Sequence, residues 1–275
     1  MIGRTNMYRY ETLDGIGLQQ IADCFNLAFS DYEQPIHFTA DSLKYYLTAS
    51  SVDLSLSFGA FCGEELVAFI LNSSGIYQKE SVVFDAGTGV VPEHRGKRVF
   101  SELFEYTVQQ LQQRKITKYY LEVLQSNDHA ISIYRKKGFS ARRAYSVLVA
   151  SGPSEGGDAQ ISVTPYQDFT PFATEFSVDP SFEHTTHTMN QNPQLYEVRY
   201  LQDQAYCIYA KRNGEIIQMH YNELDALKEV MCSVISRYPS AMAKNVDYDY
   251  PEVLEMLKEI GFKEILKQYE MARDI

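Results

Sequence analysis

The sequence predicts a mixed α/β fold made of two similar halves, and three observations support this expectation. Helical and strand patterns alternate along the chain, as they do when helices cover a sheet. A segment rich in glycine, serine and proline, Ser151–Asp158, interrupts the pattern near the middle. On each side of it a helix-like segment ends on Gly-Phe and enters a strand, at Gly138 and at Gly261. A glycine suits such helix ends because it adopts the left-handed conformation easily.

In the first half, apolar spacing predicts four helices and five strands. Helices are expected where apolar residues recur every three or four positions, and strands where short apolar runs are bounded by turn residues. The predicted helices are 15–30, 42–47, 99–114 and 130–137. The predicted strands are 57–62, 66–71, 81–91, 118–124 and 140–150.

The second half repeats this order more weakly. Its predicted strands are 196–200, 205–210, 215–220 and 262–271, and its predicted helices are 223–237 and 251–260. Similar element order and the shared helix-Gly-Phe-strand ending indicate an internal duplication. We therefore expect two domains, 1–150 and 159–275, joined by a linker at 151–158.

Composition excludes several classes of protein. The chain has 275 residues, of which 45% are hydrophobic and 22% charged, as in an average globular protein. Its net charge is −11, divided as −1 over residues 1–150 (15 basic, 16 acidic) and −10 over 151–275 (10 basic, 20 acidic). Neither half has the basic excess that nucleic-acid binding requires, so no nucleic-acid partner is expected.

No targeting signal or membrane span is visible either. The longest apolar runs, such as Leu66–Leu71, are far below the roughly 20 residues that a bilayer requires. The start of the chain has no basic region followed by an apolar one, so no secretory signal is predicted. The four cysteines are widely spaced, which fits a reducing cytoplasm better than a disulfide framework.

The most informative segment joins the strand at 81–91 to the helix at 99–114. Arg95, Gly96, Lys97 and Arg98 stand immediately before the helix, whose first N–H groups and dipole favour an anion. Basic residues at a helix start oppose the dipole at a cost of ~0.3–1 kcal/mol each, and a bound phosphate would offset that cost. The alternative is a helix start that is basic without a ligand.

Asn127 and Tyr134 follow in the next strand-to-helix connection. Asn127 could hydrogen-bond an amide of a ligand, or it could simply cap the helix at 130–137. Tyr134, inside that helix, could act as a general acid, or it could be a packing aromatic among the 21 tyrosines of the chain.

Taken together, these motifs resemble the GNAT superfamily of acetyl-CoA-dependent N-acyltransferases over residues ~55–150. The residues that carry the resemblance are Val90-x-Pro92-x-x-Arg95-Gly96-Lys97, then Leu121-Glu122-Val123, then Asn127-x-x-Ala130-x-x-x-Tyr134-x-x-x-Gly138-Phe139. The resemblance implies a mixed, mostly antiparallel central sheet flanked by helices, with a second, smaller GNAT-like domain. It also implies acetyl-CoA as co-substrate and no metal.

The resemblance assigns roles residue by residue. It implies that the backbone of Thr88, Gly89 and Val90 pairs with the pantetheine arm and that Asn127 touches it. The pyrophosphate would be held by the loop Arg95, Gly96, Lys97, Arg98, Val99 and Phe100. Tyr134 would protonate the departing coenzyme A. The family usually writes R-G-x-G-x-[GA] in this loop, and Arg98 and Phe100 fill two positions that are small there.

Acyl transfer also requires a base for the incoming amine. Glu122, five residues before Asn127, is the first candidate. The sequence resembles ribosomal-protein N-terminal acetyltransferases, and this resemblance implies a glutamate base at that spacing. Asp85 on the neighbouring strand is the second candidate. Tyr32 and Phe38 are candidates for the substrate slot, and His184 and His187 are interpreted as loop residues without a third metal ligand.

The second half resembles a degenerate copy, since aligning Gly261 with Gly138 places Leu257 where Tyr134 stands. The sequence therefore predicts a cytoplasmic N-acetyltransferase that transfers the acetyl group directly to a small-molecule or peptide amine in a ternary complex. The alternative is a non-catalytic GNAT-like sensor or scaffold that binds acyl-CoA or a metabolite. The oligomeric state is open.

Overall fold

The computed structural model describes residues 7–31, 37–152, 161–172 and 177–275. Two compact units make up the chain: Met1–Leu121 with Arg273–Ile275, and Glu122–Ala272. Most of the predicted linker, 151–158, lies outside the described residues. Among those described, no helix is long and apolar enough to cross a membrane.

The first unit is a sheet covered by helices. In chain order its elements are β1 (Arg9–Thr12), α1 (Leu18–Ala28), α2 (Ala40–Ala49), β2 (Phe58–Cys62), β3 (Glu65–Tyr77), β4 (Glu80–Val90), α3 (Val99–Gln113) and the start of β5 (Lys118–Leu124). The strands lie in the order β1-β2-β3-β4-β5. Neighbours are antiparallel except β4 and β5, which run parallel and are joined through α3.

Helix α1 fixes this unit because one of its faces is apolar. Ile21, Ala22, Phe25 and Ala28 recur at helical spacing and are buried. They pack with β3 residues, including Phe69, in one hydrophobic cluster. The rings of Phe25 and Phe69 stack with centroids 5.0 Å apart. The predicted helix at 15–30 is confirmed in type and is shorter at both ends.

The second unit begins within β5 and contains the remaining elements. They are α4 (Asp128–Lys136), β6 (Ser140–Ala150), β7 (Ser162–Pro165), α5 (Thr186–Gln191), β8 (Tyr196–Leu201), β9 (Ala205–Ala210), β10 (Ile216–Tyr221), α6 (Leu224–Arg237), β11 (Met242–Asp247), α7 (Pro251–Glu259) and β12 (Phe262–Asp274), whose last residues belong to the first unit. The strand order is β12-β6-β11-β10-β9-β8-β7. Only β10 and β11 are parallel among the pairs described.

The element order is the same in the two halves, which confirms the predicted mixed α/β fold and agrees with the predicted duplication. The series β2-β3-β4-α3-β5-α4-β6 and β8-β9-β10-α6-β11-α7-β12 each contain one parallel step, β4 with β5 and β10 with β11. Helices α4 and α7 both have nine residues. Gly138 and Gly261, which follow them, have φ of +90° and +99°. We call residues 1–150 the N-terminal copy and 159–275 the C-terminal copy.

Four short elements were not expected from the sequence: β1, β7, β11 and α5. The interpretation of His184 and His187 as loop residues is wrong, since His184 ends a 3-10 turn and His187 lies in α5. His184 is also buried. The predicted limits of the two domains stay a prediction, because the compact units divide within β5 and the sequence repeat divides near residue 150.

Candidate active site

The end of β4 is an open strand edge. β4 pairs with β5 over Val82–Asp85 only, and in the described part of the chain its last four residues, 87–90, pair with β3 alone. The pairing with β3 shifts at Ala86, which is the extra residue of a β-bulge. An extended ligand could therefore add to this edge as a strand, using backbone hydrogen bonds.

Asp85 holds the bulge in place. Its Oδ1 accepts a hydrogen bond from the Gly87 N–H at 2.9 Å, and its Oδ2 accepts one from the Thr88 hydroxyl at 2.6 Å. Both carboxylate oxygens therefore stabilise the turn of the backbone. The structure gives this second candidate for the base a local structural role, and its catalytic role stays a prediction.

Gly89 is required by the close approach of α1 to β4. A Cβ at this position would lie 2.7 Å from Cζ of Phe69 and 2.9 Å from Cβ of Ala28. Those distances are well below van der Waals contact, so no larger residue fits without displacement. Val90 follows, and its carbonyl oxygen accepts a hydrogen bond from Nε of Arg95 at 3.1 Å.

The turn between β4 and α3 exposes its backbone and two basic side chains at the start of a helix. A 3-10 turn at Pro92–His94 leads to Gly96 at φ +72° and Arg98 at φ +67°, and α3 begins at Val99. The helix has no side-chain cap, so its first N–H groups are directed at the turn. Gly96, Lys97 and Arg98 are exposed, while Val99 is buried and anchors the helix start.

Two departures from the usual family loop have a physical explanation. Arg98 adopts the left-handed conformation that a glycine would adopt at lower cost, which accounts for the small residue expected there. Phe100 is half-buried, and its ring lies against Phe104 of the same helix with centroids 5.8 Å apart.

Arg95 connects the turn to the end of α1 within the first unit. Its guanidinium contacts both carboxylate oxygens of Asp31, at 2.5 and 3.0 Å, and donates to the carbonyl of Ala28 at 2.7 Å. The hydrogen bond from Arg95 lowers the pKa of the Asp31 carboxyl. Arg95 thus ties the turn to the end of α1, and the phosphate contact assigned to it stays a prediction.

Of the two candidates for the substrate slot, Phe38 is described and Tyr32 lies outside the described residues. Phe38 packs in an aromatic cluster, with ring centroids 5.0 Å from Phe25 and 5.3 Å from Tyr46. Asn26 holds its backbone through hydrogen bonds at 2.7 and 2.8 Å.

Glu122 lies at the start of the second unit, in a buried polar cluster. Its side chain is 6% exposed. Oε1 accepts a hydrogen bond from Nδ2 of Asn245 at 2.6 Å, and Oε2 lies 3.4 Å from Nε2 of Gln268 and 3.9 Å from Nζ of Lys244. Burial raises the pKa of Glu122 from its ordinary 4.5 to about 7. A carboxyl in this range is suited to proton transfer near neutral pH.

The cation of the cluster is shared with a second acid. Lys244 also forms an ion pair with Glu183. Burial opposes the charge on Lys244, but Glu183 and Glu122 outweigh it and raise its pKa. Burial lowers the pKa of His184 to about 4, so this imidazole is neutral at physiological pH.

Asn127 precedes α4 as its N-cap, and Tyr134 lies within the helix. Asn127 caps the helix, because its Oδ1 accepts a hydrogen bond from the Ala130 N–H at 3.0 Å. The amide nitrogen is not used in this cap. Tyr134 is half-buried and packs edge-on against Phe139 with ring centroids 5.6 Å apart. The helix cap at Asn127 and the aromatic packing of Tyr134 are therefore both observed, and neither excludes the ligand contact or the general-acid role predicted for these residues.

Comparison with known proteins identifies the family. Residues 18–139 match the family model described as the acetyltransferase (GNAT) family. Over these residues the chain is a GNAT-family protein. The match spans the open edge of β4, the turn before α3, Glu122 and Tyr134. No curated protein matches the chain in sequence.

Solved structures show the same fold over the whole length. A putative acetyltransferase from Pyrococcus horikoshii matches with a TM-score of 0.72 at 12% identity, covering 100% of this chain and 91% of that one. A GCN5-related N-acetyltransferase from Sphaerobacter thermophilus gives 0.68 at 14% identity, covering 98% and 96%. A tandem GNAT protein from the clavulanic acid biosynthesis pathway gives 0.63 at 12% identity, covering 97% and 98%.

The GNAT residues predicted from the sequence fall in both units. Asp85 to Phe100 lie in the first unit, and Glu122, Asn127 and Tyr134 lie in the second. No group of three or more His, Cys, Asp or Glu side chains able to hold a metal ion occurs in the described part. Sequence reasoning missed Asn245, Lys244 and Glu183 around Glu122. The alignment of Gly261 with Gly138 was the available signal for Asn245, as shown below.

Proposed function

We propose that this GNAT protein is an N-acetyltransferase that moves the acetyl group of acetyl-CoA directly to an amine in a ternary complex. The observation that carries the proposal is the open edge of β4 running into the turn before α3. An edge of that kind suits an amide-containing arm such as pantetheine, and the exposed turn suits a pyrophosphate. The two features are consecutive in the chain.

The donor fits the residues present. A Cβ built at Gly96 meets no atom within 4 Å, so the turn has room for a ligand against its backbone. Lys97 and Arg98 are exposed there and supply positive charge. When bound, acetyl-CoA supplies the activated acyl group, and the protein's own residues bind it and move protons.

The proton transfers are assigned to Glu122 and Tyr134. Glu122 takes a proton from the amine as its nitrogen attacks the thioester carbonyl, and its pKa of about 7 leaves a large ionised fraction at neutral pH. The tetrahedral intermediate then expels the thiolate, which Tyr134 protonates. The C–N bond forms and the C–S bond breaks, with no covalent intermediate on the enzyme. The acceptor class is a small-molecule or peptide amine.

The proposal extends to location and organisation. Cys24, Cys62, Cys207 and Cys232 are free thiols, which favours the reducing cytoplasm. We also propose that the two copies are the functional domains, with the donor site in the N-terminal one.

Titration calorimetry with two matched variants tests the donor site. The two variants are Gly96→Asp and Gly96→Asn. Aspartate and asparagine both tolerate a positive φ and have side chains of nearly the same shape, but only aspartate adds a negative charge. We expect acetyl-CoA to bind the wild type and Gly96→Asn, and to bind Gly96→Asp at least tenfold more weakly. Equal affinity for Asp and Asn would show that no phosphate lies at this turn.

Turnover separates the enzyme from a sensor. Thiol release from acetyl-CoA is measured against a panel of small-molecule and peptide amines, with wild type, Glu122→Gln and Tyr134→Phe. We expect a fall of roughly 10²–10⁴-fold in rate for each variant with donor affinity retained. Donor binding without turnover on any amine would instead support the non-catalytic acyl-CoA sensor.

A further inference from the structure

Glu122 and Asn245 occupy the same position in the two copies. Glu122 stands sixteen residues before Gly138, and Asn245 stands sixteen residues before Gly261. Each lies on the strand that follows the parallel crossover, β5 in one copy and β11 in the other. The C-terminal copy thus has an amide where the N-terminal copy has a carboxylate. These two equivalent side chains contact each other, with 2.6 Å between Nδ2 of Asn245 and Oε1 of Glu122.

A β-bulge directs Asn245 at this carboxylate. In the pairing of β11 with β6, Ala243 is opposite Leu148 and Val246 is opposite Ser146, so two residues of β11 oppose one of β6. The two residues of β11 that oppose this single residue are Lys244 and Asn245. On a regular strand, consecutive side chains point to opposite faces, but at a bulge they can be aimed at one place. Both of these side chains reach Glu122.

The backbone and burial of Asn245 indicate that its amide is retained for a purpose. Its φ is +59°, a conformation that asparagine tolerates better than most residues. The residue is 4% exposed, and Oδ1 has no hydrogen-bond partner among the described residues. Nδ2 donates to Glu122 and, at 3.1 Å, to Oγ of Ser181. A left-handed backbone and an unsatisfied buried oxygen both cost stability, and such costs concentrate at functional sites.

We propose that Asn245 of the C-terminal copy is a positioning residue for Glu122: its amide holds the carboxylate of the base in place and favours its ionised form. The inference rests on the proposed function, in which Glu122 accepts the proton of the amine. The hydrogen bond occupies one lone pair of Oε1, and a carboxylate retains others for the incoming proton. In the C-terminal copy, the position of the catalytic glutamate is thus occupied by Asn245, which supports Glu122 of the N-terminal copy.

Several charged groups face Glu122 and enter its titration. Lys244 of β11 favours the ionised form, while Glu183 of the 3-10 turn Phe182–His184 and Glu270 of β12 oppose it. Gln268 of β12 lies 3.4 Å from Oε2 of Glu122, and the neutral His184 lies next to Glu183 in sequence. Removal of the Asn245 amide is expected to raise the pKa of Glu122, because one donor to the charged form is lost.

The test reads Glu122 directly by ¹³C NMR of full-length protein labelled at the glutamate δ-carbon. The resonance absent from Glu122→Gln is assigned to Glu122 and followed with pH. Asn245→Gly removes the amide and keeps the positive φ, so it preserves the backbone. We expect it to raise the pKa of Glu122 by about one pH unit. Ser181→Ala is the matched control, because it removes only the second partner of Asn245, and we expect no shift.

A second variant, expected to shift the pKa of Glu122 in the opposite direction, distinguishes a specific effect from general disruption of the cluster. Glu183→Gln removes an opposing charge and frees Lys244 for Glu122, so we expect the pKa of Glu122 to fall. The rising limb of the kcat/KM pH profile should move with the NMR value in each variant. An unshifted Glu122 in folded Asn245→Gly overturns the inference. An activity profile unaffected by Glu122→Gln overturns the proposed base instead, and the NMR result still decides whether Asn245 holds the carboxylate.

Discussion

At the scale of a single residue, Glu122 shows a conflict between ionisation and stability. Its pKa rises from 4.5 in the unfolded chain to about 7 in the folded protein, because burial disfavours the charged form. The folded state therefore binds this proton more tightly. By linkage, the protonated group contributes stability at low pH, and this contribution is lost as the pH rises from 4.5 through about 7.

Glu122→Gln removes that conflict, so we expect the variant to be more stable than the wild type at high pH. The gain in free energy of unfolding should be about 2 kcal/mol larger at pH 8 than at pH 5. Urea unfolding at both pH values measures it. Glu255→Gln, on an exposed face of α7, is the control and should show no such difference. A gain for Glu122→Gln that does not depend on pH would contradict the buried-carboxyl interpretation.

At the scale of an element, β4 combines a packing constraint with an open edge. Gly89 faces α1, where a Cβ would lie 2.7 Å from Cζ of Phe69, whereas the contacts of a Cβ at Gly87 begin at an ordinary 3.6 Å. Because Phe69 and Ala28 are buried and cannot easily move, Gly89→Ala should lower the free energy of unfolding by about 1–3 kcal/mol.

Gly87→Ala on the same strand is the matched variant for that experiment. It should be close to neutral, since its methyl group meets only van der Waals neighbours. Chemical denaturation of both variants, monitored by circular dichroism, measures the difference. Equal stabilities for the two would show that α1 does not pack tightly on β4.

The elements with strong periodicity could be predicted, and those without it could not. The strands 118–124, 140–150 and 205–210 have the bounds that the sequence predicts, because their apolar runs end at clear turn residues. β11 was missed because its six residues, MAKNVD, include a lysine and an asparagine at the bulge and do not alternate. The cluster around Glu122 was missed with it, since its partners come from residues more than 60 positions away. Sequence periodicity carries no information on such long-range pairs.

At the scale of the whole molecule, the sequence repeat and the compact units do not coincide. β6 belongs by sequence to the N-terminal copy, but it pairs with β11 and β12, which belong to the C-terminal copy. β6 and β12 are equivalent strands, each entered from a helix that ends on Gly-Phe. This pairing explains why the compact division falls within β5 rather than near residue 150.

Because β6 of the N-terminal copy pairs with two strands of the C-terminal copy, we predict that the copies do not fold separately. In a fragment 1–152, β6 would lose both neighbours, and the buried Tyr145, Val147 and Leu148 would be exposed on a strand with two open edges. We expect that fragment to aggregate alone and to purify as a soluble complex when 153–275 is co-expressed. Size-exclusion chromatography and thermal unfolding measure both. The control is the full chain with a protease site in 153–158, cleaved after folding, which should stay associated. A monomeric fragment 1–152 with cooperative unfolding would instead make the N-terminal copy an autonomous domain.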